Sequence, residues 1–330
     1  ENLTTEKIDS LADKIAESSV LMGNMGNLID YLFSEGVSLG DISISTDPVK
    51  DMDWESQAGR DEFKSIMRAM AAIFEGNLHQ DPDFDNLSDG TEDVNGDGKI
   101  DDADNLIKRL AESMSGSVLI RHNLNNLIDQ IAGEATGDVK IAMFDDPDDW
   151  TSREIQALLR SVKIISKKEN IPEDLFNLTN EELDIILSST LICKSLVENL
   201  KGMTAEDGQL KDFLIIQYVG ADDWYDRYDE DGERIFDGEL RKLFNSGRIL
   251  LGDNPDFDNP EGLISLSTVL DLSDEDIDGI LASQILKASF ANQLIKLSRE
   301  EDAQIVVKME MGDPGWEAEI RSLIDSVKVL

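Results

Sequence analysis

The stretch SGSVLIRHNLNNLIDQIAGEATGDVKIAMFDDPDDW (115–150) contains, in order, the features that decide the fold. It begins with small residues and a leucine, and it continues with apolar residues at helical spacing. A short β-branched run, VKIAMF (139–144), follows, and the stretch ends in an Asp-rich turn before Trp150. This order predicts a helix, a strand and a turn that leads into a second helix.

Comparable segments occur three more times, at ESSVL (17–21), LSSTL (187–191) and ASQIL (282–286). Each is followed by a tryptophan after an Asp-rich turn. The separations from Leu21, Leu119, Leu191 and Ile285 to Trp54, Trp150, Trp224 and Trp316 are 33, 31, 33 and 31 residues. Four nearly equal separations indicate a repeated unit.

A longer period divides the chain in half. The segment EIQALLRSVKII (154–165) is similar to EIRSLIDSVKVL (319–330), 165 residues later. The sequence therefore predicts two repeat blocks, 1–165 and 166–330, with two repeats in each. Since no repeat buries its apolar faces alone, neighbours must stack. The predicted fold class is mainly α with minor β (α+β), an elongated tandem array of four helix–strand–helix repeats.

Local signals place the elements of each repeat. Ser or Thr followed by acidic residues marks helix starts at LTTEKI (3–8), LTNEEL (178–183) and LSDEDI (272–277). One strand per repeat is predicted, at DISIS (41–45), VKIAMF (139–144), FLIIQYV (213–219) and QIVVKMEM (304–311). Second helices begin near Glu62, Glu154, Glu239 and Glu319, and Thr151 with Glu154 has capping-box spacing. The segment 226–239 is predicted to form a hairpin.

Charge and composition exclude several classes of function. Seventy acidic residues against thirty basic ones give a net charge of −40. Such a chain cannot release counterions from nucleic-acid phosphates, and it is repelled by anionic lipid surfaces. No apolar run approaches the length that spans a bilayer. We therefore expect no nucleic-acid partner and no membrane insertion, and a cation is the expected small partner.

Two abutting twelve-residue loops at 81–104 carry the pattern of calcium ligands. Calcium prefers six to eight oxygen ligands, which alternate residues of a tightly turned loop can supply, with a backbone carbonyl from position 7. A sharp turn at position 6 favours Gly or Asn, which Gly98 and Asn86 provide. The predicted metal ligands are Asp81, Asp83, Asp85, Leu87, Asp89 and Glu92 in the first loop and Asp93, Asn95, Asp97, Lys99, Asp101 and Asp104 in the second.

These loops resemble two known families. DVNGDGKIDDADNLIKRL (93–110) is similar to the calcium loop and exiting helix of EF-hand-like dockerin repeats, and that helix is expected to start near Asp102. DPDFDNLSDGTE (81–92) resembles the loops of thrombospondin type 3 repeats. The second loop of a dockerin is missing, so the resemblance implies calcium (Ca2+) ligation and a place outside the cell, not a docking role. The helix–strand–Trp repeats are similar to tandem units of large bacterial surface proteins.

Other candidate sites receive simpler interpretations. NPDFDNPEG (254–262) keeps two loop carboxylates but lacks the ligands at positions 9 and 12, so it is a degenerate loop. The tryptophans are either a sugar-stacking platform or, as we favour, buried anchors between repeats. Cys193 lies in an apolar helical stretch and is expected to be an inert core residue. His79 and His122 suggest no triad or zinc site, and no catalytic residue is assigned.

The sequence therefore predicts a non-catalytic, calcium-binding structural or adhesive repeat segment, extracellular or on a cell surface. Calcium would make the segment between the first two repeats rigid, because its clustered carboxylates repel one another without metal. Self-association or continuation into further repeats is expected, since RSLIDSVKVL (321–330) ends within a helical pattern. The alternative is a calcium-dependent module that binds carbohydrate or protein.

Overall fold

The structure is a computed structural model, and it is mainly helical. It describes residues 5–34, 44–75, 87–91, 105–135, 142–168, 178–206, 208, 214–229, 231, 233–251, 272–297 and 317–322. Helices account for 69% of these described residues, and the β structure among the same residues is a two-stranded sheet. The prediction of a mainly α fold with minor β is therefore confirmed.

The described residues contain twelve α-helices with defined bounds and three short 3-10 helices. The α-helices are α1 (Thr5–Ala16), α2 (Ser19–Met22), α3 (Met25–Ser34), α4 (Gln57–Glu75), α5 (Leu106–Gly116), α6 (Val118–Ala135), α7 (Ser152–Ile165), α8 (Asn180–Ser188), α9 (Thr190–Met203), α10 (Glu239–Leu251), α11 (Asp274–Ala282) and α12 (Gln284–Leu297). The 3-10 helices are Asp47–Val49, Pro147–Asp149 and Ala221–Asp223, and residues 317–322 are also helical. The last two 3-10 helices form the Asp-rich turns that immediately precede Trp150 and Trp224.

The chain divides into two compact units. The first contains Glu1–Lys167 and Ser188–Ser195, and the second contains Lys168–Leu187 and Leu196–Leu330. The division into sequence blocks 1–165 and 166–330 stays a prediction.

The first compact unit has a helical core in which α4 packs against both α1 and α5, and α5 packs against α7. One apolar cluster joins Trp54 and Phe63 to buried residues of α1, α2, α3 and α4, and Leu119 of α6 is also a member. A second cluster is formed by Ala69, Ala72, Leu87, Leu106, Ile107 and Leu110.

In the second compact unit, α10 packs against α11 and α12. Ser246 is fully buried on α10, and its hydroxyl donates to the carbonyl of Gly279 on α11 at 3.0 Å. An apolar cluster of α11 residues includes Leu286 of α12 and Ile320. Helical residues 317–322 therefore contribute to this core through Ile320.

Helix-start predictions can be compared with the observed caps. Thr179 and Glu182 form reciprocal hydrogen bonds at the start of α8, and Ser273 and Asp276 form a capping box before α11. Thr151 also caps α7, because its hydroxyl accepts from the N–H of Glu154 at 3.2 Å. The Glu154 carboxylate, however, bonds to α9 and its preceding serine, so half of the predicted capping box is wrong.

The hairpin predicted within 226–239 is confirmed. Strand β1 (Arg227–Tyr228) pairs antiparallel with β2 (Arg234–Phe236). At its base, the buried carboxylate of Asp226 accepts from the N–H of Gly238 at 2.8 Å and from Nε of Arg241 at 2.7 Å. A charged pair removed from water in this way fixes the hairpin onto the first turn of α10.

Candidate functional site

A buried glutamate near the start of a helix caps a second helix in three separate places. The three residues are Glu62 on α4, Glu154 on α7 and Glu239 on α10, and each is nearly inaccessible to solvent. Each carboxylate accepts a hydrogen bond from the hydroxyl of the serine that precedes the capped helix. The bonds run from Ser117 to Glu62 at 2.7 Å, from Ser189 to Glu154 at 2.9 Å and from Ser283 to Glu239 at 2.6 Å.

Each carboxylate also accepts from the first two backbone N–H groups of the capped helix. For Glu239, the donors are the N–H groups of Gln284 at 3.0 Å and Ile285 at 2.9 Å. The same pair of bonds joins Glu154 to Thr190 at 3.0 Å and Leu191 at 2.9 Å, and joins Glu62 to Val118 at 2.7 Å and Leu119 at 2.9 Å. The donor types and their order are identical in all three copies.

This arrangement satisfies the donors that a helix N-terminus leaves without intrahelical partners. The serine hydroxyl accepts from the N–H three residues later, as at Ser117 and Ile120, 3.1 Å apart. The glutamate takes the two N–H groups between them, and its negative charge lies at the positive end of the helix dipole. Serine suits this position because its hydroxyl can accept from a free N–H of the first helical turn. Its backbone is extended, with a φ of −101° and a ψ of 123° at Ser117, and this turns the chain between two helices.

Each cap is accompanied by one buried apolar side chain in the first turn of the capped helix. Two residues after the serine stand Leu119, Leu191 and Ile285, which are at most 2% exposed. Leu119 lies in the cluster that contains Trp54 and Phe63, and Phe63 directly follows the capping Glu62. Polar capping and apolar insertion therefore occur together at the same junction.

A second polar link lies six residues after each serine. The side chains of Asn123, Ser195 and Ser289 accept from the N–H groups of Ser45 at 2.7 Å, Ala142 at 2.7 Å and Ile215 at 2.9 Å, respectively. Each also donates to the carbonyl four residues earlier on its own helix. These side chains attach an irregular segment to a helix.

That link explains a difference from the predicted strands. The described parts of three predicted strands, at 44–45, 142–144 and 214–219, belong to no sheet in the described structure. Their β-branched composition favours strands, but helix side chains take the N–H groups of Ser45, Ala142 and Ile215. The fourth predicted strand, 304–311, lies outside the described residues, as do 41–43, 139–141 and 213 of the other three.

Only two of the twelve predicted calcium ligands fall within the described residues, Leu87 and Asp89. The backbone carbonyl of Leu87 accepts from the Nζ of Lys163 at 2.6 Å. An ammonium group at that oxygen would repel a Ca2+ ion bound to the same oxygen. With Lys163 in this position, the Leu87 carbonyl does not fit a calcium site, and Lys163 would have to move away before a Ca2+ ion could bind there.

The carboxylate of Asp89 is held by its neighbour Thr91. Its Oδ1 accepts from the Thr91 hydroxyl at 2.7 Å and from the Thr91 N–H at 3.2 Å. Burial alone would raise the pKa of Asp89, but the bonds from Thr91 and the positive charge of Lys163 outweigh it and hold the pKa below its usual value. Asp89 therefore remains a charged acceptor at neutral pH.

The segment 87–91 packs against the start of α5. The N–H of Ile107 donates to the carbonyl of Ser88 at 3.0 Å, and Asn105 caps α5 through the N–H of Lys108 at 2.8 Å. Gly90 has a φ of +85°, and a Cβ there would lie 2.9 Å from that of Asn105. The helix after the second loop begins at Leu106 and not near Asp102, because Asn105 supplies the cap.

Ten predicted ligands lie outside the described residues: Asp81, Asp83, Asp85, Glu92, Asp93, Asn95, Asp97, Lys99, Asp101 and Asp104. The degenerate loop 254–262 also lies outside them. Within the described ranges, no group of three or more His, Cys, Asp or Glu side chains is arranged to hold a metal ion. The calcium site stays a prediction.

Three tryptophans are buried as expected, and Trp316 lies outside the described residues. Trp150 is 1% exposed and packs edge-on against Phe144, with ring centroids 5.0 Å apart. Its Nε1 donates to Asn125 at 3.2 Å. These rings offer little surface for stacking on a sugar. Cys193 is also buried, and it forms no disulfide.

Sequence reasoning placed the capping glutamates at helix starts but missed their partners. The separation in sequence between glutamate and serine is 55, 35 and 44 residues, so no fixed spacing reveals the pair. The signal that the sequence offers is a glutamate followed by a large apolar residue, together with a serine that stands two residues before a Leu or Ile.

Comparison with protein-family models, curated proteins and solved structures finds no match for this chain. Among the helices in the described parts of the chain, none combines the length and the apolar character needed to cross a bilayer. The function is therefore inferred from the geometry of the caps and from the loops of the sequence.

Proposed function

We propose that this chain is a non-catalytic structural segment of an extracellular or cell-surface protein, built from four tandem repeats. The glutamate cap carries the proposal, because the same set of hydrogen bonds recurs three times with the same residue types. In each case the glutamate belongs to the last helix of one sequence repeat, and the capped helix belongs to the next. A cap of this kind fixes successive repeats to each other.

The caps are suited to a scaffold because they combine three properties. Each is buried, each uses both oxygens of its carboxylate, and each is coupled to an apolar residue that inserts into a core. Hydrogen bonds to a charged acceptor are stronger than neutral ones, and water is excluded from them here. Bound in this way, the carboxylates act as structural groups.

Calcium binding at 81–104 is the second part of the proposal, and it rests on the spacing of the loop residues. The second loop, Asp93 to Asp104, would bind through carboxylates and the Lys99 carbonyl. The first loop requires Lys163 to release the carbonyl of Leu87. Calcium bound there would neutralise clustered carboxylates and restrict the segment between the first two repeats.

The alternative of a carbohydrate-binding module is less well supported. The tryptophans that would stack on sugar rings are buried at three of the four positions. A binding function for protein partners would use surfaces other than these rings.

Limited proteolysis with and without calcium tests both parts of the proposal. A protease of broad specificity that needs no calcium, such as papain, would be applied to the full chain. Cleavage within 76–104 should slow by roughly tenfold or more in millimolar calcium, since even a weak extracellular site is then filled. The capped junctions at 117–120 and 189–192 should resist cleavage in both conditions. Equal cleavage of 76–104 in calcium and in chelator would contradict the calcium role.

Replacing Lys163 with glutamine should raise calcium affinity about three- to tenfold. The substitution removes a positive charge beside the predicted ligand oxygen of Leu87. Isothermal titration calorimetry of the variant and the unmodified protein would measure the change. Lys201→Gln removes the same charge from an exposed position and should leave the affinity unchanged. If Lys163→Gln also has no effect, Leu87 is not a ligand and the predicted first loop is wrong.

A further inference from the structure

We propose that residues 92–104 are an insertion within the predicted second repeat, and that the helical scaffold folds and stays closed without them. This inference rests on the proposed function, since it compares the predicted repeats with one another and since the second calcium loop lies in the insertion. It adds that the structural role of the chain and its calcium binding are separable. The support comes from the described residues on either side, 87–91 and 105–110.

The two ends of the insertion lie side by side. The N–H of Ile107 donates to the carbonyl of Ser88 at 3.0 Å, and a Cβ on Gly90 would lie 2.9 Å from that of Asn105. Residues 88–90 and 105–107, called the neck here, therefore run in opposite directions. A chain that leaves the neck after Thr91 returns to it at Asn105.

Both sides of the neck are fixed by the scaffold. Leu87 is fully buried in one apolar cluster with residues of α4 and α5, and its carbonyl accepts from the Nζ of Lys163 on α7 at 2.6 Å. On the other side, Asn105 caps α5 through the N–H of Lys108 at 2.8 Å. These contacts involve the helical core and no residue of the insertion.

The second compact unit contains a comparable closure. Leu178 is 3% exposed, and its carbonyl accepts from the guanidinium of Arg248. Lys163 and Arg248 each stand nine residues after a capping glutamate, Glu154 and Glu239 respectively. In both cases, a basic residue of the last helix in a predicted repeat binds the carbonyl of a buried leucine at the start of that repeat.

The repeats differ in the distance from this leucine to the next helix. Helix α8 begins two residues after Leu178, and α11 begins two residues after the buried Leu272. Helix α5 begins 19 residues after Leu87. The extra residues of the second repeat thus lie between two points that are already held together. Because the entropy of loop closure depends only weakly on length, a long excursion from such a neck costs little.

Replacing 92–104 with the linker Gly-Ser-Gly tests the proposal in the full chain. Without calcium, the variant should keep the far-ultraviolet circular dichroism of the unmodified protein and melt within about 5 °C of it, because the shorter loop costs no more to close. A second variant with a six-residue Gly/Ser linker guards against a linker that is too short. A decrease of more than about 5 °C in both variants would overturn the proposal.

Leu87→Ala shows whether the neck keeps its place after the deletion. The substitution removes a fully buried side chain and should lower the melting temperature by roughly 5–15 °C in the full chain and equally in the deletion variant. Leu11→Ala truncates an exposed leucine of the same compact unit and should change it by less than about 2 °C. If Leu87→Ala destabilises the full chain but not the deletion variant, the neck depends on the insertion and the proposal is wrong.

Calcium titration calorimetry separates this inference from the function on which it rests. The deletion variant should bind calcium at least tenfold more weakly than the full chain, because it lacks Glu92 and the whole second loop. Equal affinities would overturn the assignment of calcium binding to the insertion. If the full chain binds no calcium while the deletion variant keeps its melting temperature, only the calcium part of the proposed function is wrong. If the deletion variant is destabilised while the full chain binds calcium, only the separable insertion is wrong.

Discussion

Replacing Glu239 with glutamine should lower the free energy of unfolding by about 2–4 kcal/mol, because a buried charged acceptor is lost. The amide has nearly the same shape, but it presents an NH2 group where the carboxylate has its second oxygen. That group would face the N–H of Gln284 or Ile285, both of which donate to Glu239 now. At least one buried donor then has no acceptor. Urea denaturation followed by far-ultraviolet circular dichroism measures the change.

Glu233→Gln is the matched control for this substitution. It removes the same charge from the same compact unit, but Glu233 is exposed. Its effect should stay within about 0.5 kcal/mol. Equal denaturation midpoints for the two variants would show that the Glu239 cap contributes nothing beyond its charge, contrary to its proposed role.

Replacing Leu119 with alanine should destabilise the first compact unit by about 2–5 kcal/mol. Leu119 is 2% exposed and packs in one cluster with Trp54 and Phe63. Truncation would leave a cavity there while the cap formed by Glu62 remains. Thermal denaturation followed by circular dichroism measures the loss.

Val20→Ala tests the same position on an exposed face. Val20 stands two residues after Ser18, as Leu119 stands two residues after Ser117, but it is 76% exposed. Its truncation should change the stability of the monomer by less than about 0.5 kcal/mol. A large effect of Val20→Ala in dilute protein would mean that Val20 is buried in the monomer after all.

Local features of this fold could be predicted from the sequence. The caps at Thr179 and Ser273 and the hairpin at 226–239 each depend on residues only a few positions apart, so their signals are contiguous. The mainly helical character followed from apolar spacing for the same reason. In these cases, the residues from which the element is predicted are the same residues that form its hydrogen bonds and contacts.

The long-range features could not be predicted in this way. Glu154 has capping-box spacing to Thr151, yet its carboxylate bonds to residues 189–191, where it satisfies buried donors. The predicted strand residue Ala142 bonds to Ser195, 53 positions later. Leu87 has the position of a calcium ligand, but its carbonyl accepts from Lys163, 76 positions away. In each case a tertiary partner takes the group that local spacing had assigned elsewhere.

The unequal separations within the three caps have a consequence for how such a chain can change during evolution. Glutamate and serine are 55, 35 and 44 residues apart, yet the bonds between them are the same. The joint therefore tolerates insertions and deletions in the connecting segment, because loop closure costs only about 0.6 kcal/mol for each doubling of length. New surface segments could be grafted between the two residues without disturbing the joint, which would let this architecture gain ligands, lose them or alter its spacing one module at a time.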